Sequence, residues 1–185
     1  MPILLSMLRG VNVGPHNRIK MDELRALYES LKFEDPRTYV QSGNVIFRTK
    51  EKSSPKLAKK IQDAIGKKFG CRPEVILRTA EEMRRAIVAS PFAKRMDKDI
   101  EPSKLLVTFL AAEPSKEALA AIEGLKSHPE EIHLKGREMY IYFPNGIGTS
   151  KLPWSQVEKH LKVTGTARNW NSVTKMLEIA EQMEG

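Results

Sequence analysis

Apolar positions along the chain fall into runs whose period changes, and the changes mark the elements. Ile3 to Leu8, "ILLSML", is the short, nearly unbroken apolar run of a strand buried on both faces. "MDELRALYESL" then sets Leu24, Leu27, Tyr28 and Leu31 on one helical stripe, with Asp22 and Glu23 in the first turn. "RTYVQ" and "NVIFR" read as strands flanking Ser42-Gly43, which predicts a two-residue hairpin turn, because glycine supplies the positive φ such a turn needs. Ser54 and Pro55 open a helix with Leu57, Ile61, Ile65 and Phe69 on its apolar face, and Gly70 ends it. "PEVILR" is the next strand. Thr79 and Glu82 form a capping box for the helix after it.

The second half repeats this order. "KLLVTFL" is a strand and "PSKEALAAIEGL" a helix; "EIHL" and "EMYIYF" are strands about Lys135-Gly136-Arg137. "LPWSQVEKHL" is a helix with Trp154, Val157 and Leu161, and "TGTAR" a short last strand. "NSVTKMLEIAEQM" closes the chain with Val173, Met176, Leu177, Ala180 and Met183 on one face. Each half is βαββαβ plus a helix. The fold class expected is α+β, a tandem duplication of two ferredoxin-like (βαββαβ) subdomains with extra helices. The first subdomain spans 1–90 and the second 104–185. The charged, proline-bearing segment 91–103 is read as the linker.

That topology brings distant segments together. In βαββαβ the first two strands are parallel, with the third antiparallel between them. The loop Arg9 to Lys20, the hairpin Gln41 to Asn44 and the loop Gly70 to Pro73, with Arg72, therefore belong to one edge of the sheet. Charge gives this edge interest. Residues 1–92 hold 18 Lys and Arg against 10 Asp and Glu, whereas residues 93–185 hold 13 of each, so the net charge of +8 lies in the first half. Such asymmetry marks either an anionic partner or a solvated lysine-rich surface.

In the first loop, Gly10 and Gly14 expose backbone N–H groups while Arg9, Arg18 and Lys20 supply charge, as an anion cradle would. The P-loop and dinucleotide fingerprints are both missing. Gln41, Ser42, Gly43 and Asn44 are turn formers, and Gln41 and Asn44 also aim polar groups at this edge. Thr164 to Ser172, "TGTARNWNS", offers Asn169 or Asn171 as a helix cap, Arg168 beside that helix start, and Trp170 as an anchor or stacking platform. The lysines Lys56, Lys59, Lys60, Lys67 and Lys68 make a basic helix surface. RNA reading on the sheet face is disfavoured, because "NVIFRT" lacks the aromatic pattern it needs.

Other chemistries find little support. His16, His128, His133 and His160 lack ligand spacing, so no metal and no cofactor is predicted. Glu81-Glu82 and Glu130-Glu131 suggest no acid–base dyad, and the single Cys71 has no base placed beside it. One cysteine and no long apolar span point to a reducing cytoplasm, with no membrane partner and a monomer favoured.

"LRGVNVG", "YVQSGNVIF", "ASPF" and "TARNWNSVTK", in this order, resemble the bacterial domain-of-unknown-function 1697 family, from near Met1 to about Gln182. The matching positions are Leu8 to Gly14, Lys20-Met21, Tyr39 to Phe47, Pro91-Phe92 and Thr166 to Trp170. Pro15-His16 and Ser172 depart from the usual pattern. The resemblance implies two ferredoxin-like halves and no activity. Three readings stay open from sequence: an anionic ligand, nucleotide or nucleic-acid phosphate, held at the loop edge by Arg9, Gly10, Asn12, Gly14, Lys20 and Gln41 to Asn44, with Arg168, Asn169 and Trp170 if the halves fold together; an enzyme acting on a phosphorylated small molecule, with His16 as the only base; or a non-catalytic protein-interaction module.

Overall fold

The computed structural model describes residues 1–125 and 129–185; His128 lies outside them. Eight strands and six α-helices are formed among the described residues. The first half runs β1 (Ile3–Leu8), α1 (Met21–Ser30), β2 (Glu34–Tyr39), β3 (Asn44–Arg48), α2 (Pro55–Phe69), β4 (Val75–Thr79) and α3 (Ala80–Val88). The second runs β5 (Leu105–Leu110), α4 (Lys116–Glu123), β6 (Glu131–Lys135), β7 (Glu138–Tyr142), α5 (Trp154–Leu161), β8 (Gly165–Asn169) and α6 (Trp170–Glu184). The strands make two four-stranded antiparallel sheets, ordered β2-β3-β1-β4 and β6-β7-β5-β8.

Local chemistry accounts for the element ends. Ser54 accepts from the Leu57 amide at 3.2 Å to open α2, and Gly70 closes it in the left-handed region at φ 78°. Thr79 and Glu82 form the reciprocal capping box, with bonds of 3.0 and 2.8 Å. The hairpin differs from expectation: the turn takes four residues, Val40 to Gly43, because Val40 itself turns left-handed (φ 52°) and ends β2 at Tyr39. Pro36 and a register shift between Glu34 and Arg37 are tolerated because β2 is an edge strand.

Two compact units result: residues 1–84 with 175–185, and residues 85–174. In the first, Leu4, Leu8, Val45, Phe47 and Leu77 of the sheet pack with Leu24, Tyr28, Leu57 and Ile61 of α1 and α2. Ile3, Leu5, Met7, Ile46 and Ile76 alternate with the sheet members of this core, and they are buried too. Both faces of β1, β3 and β4 are thus closed to water, with only the edge strand β2 exposed, which removes the platform an RNA-reading sheet requires. The second unit has its own core around Leu110, Ile122, Met139, Ile141, Phe143 and Val157.

The segment 91–103, read from sequence as a linker, is fastened within the second unit. Phe92 is fully buried and meets the His133 ring edge-on, and Arg95 binds both Asp99 and Glu131. Tyr140 and Tyr142 point their hydroxyls at backbone: Tyr140 donates to the Ala86 carbonyl and Tyr142 to that of Asp99. The last residues, 175–185, group with the first unit, where Arg48 donates to the Met183 carbonyl and Arg84 binds Glu181 and Glu184. This moderates the charge asymmetry. The first unit holds 18 basic and 13 acidic residues, net +5, and the second 13 and 10, net +3.

Candidate functional site at the loop edge of the first unit

The connection from β1 to α1, Arg9 to Lys20, is long and folds on itself through two asparagines. Asn12 adopts φ 56° and Asn17 φ 53°, values that asparagine tolerates better than other side-chain-bearing residues. The Asn12 amide donates to the Ile19 carbonyl at 2.9 Å and to the Gln41 carbonyl at 2.7 Å, while its oxygen accepts from the Ile19 N–H at 2.8 Å. The Asn12 N–H meets the Asn17 carbonyl at 3.0 Å, and Val11 and Ile19 sink into the core. One side chain therefore clasps both ends of the loop to each other and to the hairpin.

The hairpin docks just as closely. The Leu8 N–H donates to the Gly43 carbonyl at 3.0 Å. Gly43 is fixed twice over: its φ is 83°, and a Cβ there would stand 2.9 Å from the Leu8 Cβ. Asn44 is fully buried and donates to the Tyr39 carbonyl (2.9 Å) and the Ser42 hydroxyl (3.0 Å), holding the turn from within. The expected meeting of Arg9–Lys20 with Gln41–Asn44 is thus visible in these bonds. The loop Gly70 to Pro73 reaches this edge as well, where the Arg9 N–H donates to the Glu74 carbonyl at 3.0 Å, but the Arg72 side chain is turned onto Asp63 of α2.

The outward side of this edge carries the exposed side chains of Arg9, His16, Arg18, Lys20 and Gln41. Gly10 and Gly14 are left-handed (φ 72° and 60°), with open space where a Cβ would be. Val13 and Val40, adjoining the two ends of the Asn12–Gln41 bond, are 68% and 48% exposed. Sequence reading missed these valines, since nothing in the identity of a valine announces exposure. The start of α1 adds little for an anion. Lys20 caps it without a side-chain bond, and Asp22 and Glu23 fill its first turn with negative charge of their own.

Arg168, Asn169 and Trp170 belong to the second unit and form a helix start. Asn169 accepts from the Ser172 N–H at 2.9 Å as the cap of α6, and Trp170 is buried. Arg168 donates to the Thr166 hydroxyl (2.8 Å) and the Ala167 carbonyl (2.9 Å). Burial lowers the pKa of its guanidinium to about 10. Among the described residues no cluster of three or more His, Cys, Asp and Glu side chains is assembled, and no helix is long and apolar enough to cross a membrane.

A search of curated proteins finds no match. In structure the chain is similar to a conserved bacterial protein from Streptococcus pneumoniae, with a TM-score of 0.67 and 22% sequence identity over 97% of this chain and 98% of that one. At that identity the likeness bears on the fold alone. The family described as a protein of unknown function, DUF1697, matches residues 1–140, a stretch that includes the whole clasped edge. The "TARNW" motif lies beyond the matched stretch, and the three motifs before it lie inside it. The chain belongs to the DUF1697 family of proteins of unknown function.

Proposed function

We propose that the loop edge of the first unit binds a small anionic ligand through its phosphate, with a nucleotide as the chemical class. The observation that carries this reading is the backbone of the loop. Left-handed residues recur at every second position, Gly10, Asn12 and Gly14. Alternation of this kind turns N–H groups toward one side in anion-holding concavities. Here the Asn12 N–H is already given to the Asn17 carbonyl, so the N–H groups of Gly10, Val11 and Gly14 are the ones offered to an anion. Arg18 and Lys20 bring charge to the same loop, and exposed Val13 and Val40 offer apolar contact to the uncharged part of the ligand. Pro15 lacks an N–H, so the concavity centres on residues 10–14.

The tandem ferredoxin-like architecture is part of the same reading, and matching strand orders support it. So do two arginines. Arg78 pairs with Leu5, the third residue of β1; Arg168 pairs with Val107, the third residue of β5. Both are buried, and both donate from Nη1 to the preceding carbonyl at 2.9 Å. Each is followed by a capping residue, Thr79 or Asn169.

Thermal unfolding with inorganic phosphate and with nucleoside mono- and triphosphates tests the ligand. A ligand at about a hundred times its Kd stabilises by about 2.7 kcal/mol. That is a Tm rise of about 5–10 °C for a chain this size. The rise should disappear in the double variant Arg18→Gln, Lys20→Gln. No rise with any of these ligands, or an equal rise in the variant, refutes the reading.

A further inference from the structure

We infer that the outer face of α2 is a docking strip for double-stranded nucleic acid, held by its phosphates without regard to sequence. It is separate from the loop edge and does not depend on it. A groove of about 680 Å³ runs between α1 and α2, floored by Leu27, Leu31 and Ala64 and rimmed by lysines. Lys56, Lys59, Lys60, Lys67 and Lys68 are all exposed, and the only acid on the helix is Asp63. Asp63 is already shared between Lys59 and Arg72, and Lys60 pairs with Glu51. Lys56 and Lys67 have no ion-pair partner among the described residues.

Helix stability does not explain this pattern. Lys67 and Lys68 suit the C-terminal end, but Lys56 stands in the first turn, where the helix dipole opposes a cation and no acid offsets it. At 100° per residue Lys56, Lys60 and Lys67 fall within about 40° of one another, a row about 17 Å long. Asp63 falls on the same row, with its charge taken up by Lys59 and Arg72. A row of cations suits a line of phosphates better than a single anion. Duplex DNA presents its charges along a rigid axis, about five base-pair steps in that length.

The surroundings decide among polyanions. Single strands are held on exposed aromatic rings, but here Phe33 is buried and Lys60 lies over its ring, while Lys68 lies over half-buried Phe69. Membrane insertion needs bulky apolar side chains beside the lysines. Leu27 in the floor is buried and Leu31 only partly exposed, which leaves an amphipathic acidic helix little apolar surface to cover.

The test is fluorescence anisotropy of a labelled 20-base-pair duplex across a salt series. The wild type is compared with Lys56→Gln, Lys60→Gln, Lys67→Gln and with a control of equal charge loss in the second unit, Lys116→Gln, Lys135→Gln, Lys151→Gln. Each phosphate contact adds about 0.9 to the slope of log K against log salt, so the α2 variant should lose about 2.7 of that slope. The control should keep it. The loop-edge variant Arg18→Gln, Lys20→Gln should also keep it, which separates failure here from failure of the nucleotide reading. No wild-type binding at 50 mM salt, equal losses in the two triple variants, or equal or tighter binding of single strands, anionic vesicles or polyglutamate would each overturn the proposal.

Discussion

The two sheets share a strand order, but they spend their residues at different places. From β1 to α1 the chain takes twelve residues, Arg9 to Lys20; from β5 to α4 it takes five, Ala111 to Ser115. The turn joining β2 to β3 has four residues, and the one joining β6 to β7 has two, Gly136 and Arg137. Both elaborations of the first unit lie at one edge and are bonded to each other through Asn12 and Gln41. The second unit elaborates the path after the hairpin instead, with eleven residues from Phe143 to Pro153 against six from Thr49 to Ser54. A connection that five residues can close does not need twelve, since connections of this kind commonly take about two to six. The clasped edge is therefore an addition to the architecture, and its asparagines stabilise the addition.

Breaking that edge should hurt in a graded way. Gly43→Ala has the largest expected effect, about 2–4 kcal/mol in urea unfolding, because it combines a left-handed φ with a Cβ pressed against Leu8. Gly10→Ala and Gly14→Ala meet open space and should cost only the conformational term of about 1 kcal/mol. Equal costs at all three glycines would show that Leu8 yields. Next comes Asn12→Ala, expected to cost about 2–3 kcal/mol through three lost hydrogen bonds, with faster amide exchange in residues 10–19. In the second unit Asn169→Ala removes one helix cap and should cost about 1 kcal/mol.

Titration sharpens the contrast further. The Tyr28 phenol is buried against Ser6 (2.6 Å), and burial raises its pKa well above the ordinary tyrosine value of about 10. Its neutral form is favoured by folding, so this stability is complete below about pH 10 and is lost as pH rises beyond it. Tyr28→Phe should cost about 1 kcal/mol at neutral pH and flatten the alkaline fall in the urea midpoint. The smallest effect belongs to the second unit. Hydrogen bonding to Arg95 holds the Asp99 carboxyl below its ordinary pKa. That contribution is present above about pH 4 and fades as pH falls through the lowered pKa. Asp99→Asn and the wild type should therefore converge in acid unfolding as pH falls through that lowered pKa.

Much of the fold was legible because its signals are local. Ser54, Gly70, Thr79 with Glu82, and Asn169 act within four residues of the helix ends they define. The start of β2 was hidden, since "EDPRTY" is a polar edge strand with a proline and a bulge and shows no apolar alternation. Topology predicted that the two loops meet, but not the means. Asn12 reaches Gln41 across 29 positions, and the left-handed turn at Val40 contradicts what a β-branched residue favours. The loop carrying Arg72 reaches the predicted edge, but the pairing of its side chain with Asp63 on the neighbouring helix was hidden, because loop position alone does not reveal it.

The tail of α6 has a consequence for the order in which the protein is made. Residues 85–174 form a unit from one unbroken stretch, whereas the other unit needs both residues 1–84 and 175–185. Arg48 finds the carbonyl of Met183, 135 positions later. During synthesis the N-terminal residues emerge first yet must wait for the whole intervening unit before their last helix turns arrive. Completion runs against the direction of translation: the unit begun first is finished last, and in the interval its side of the molecule stands open.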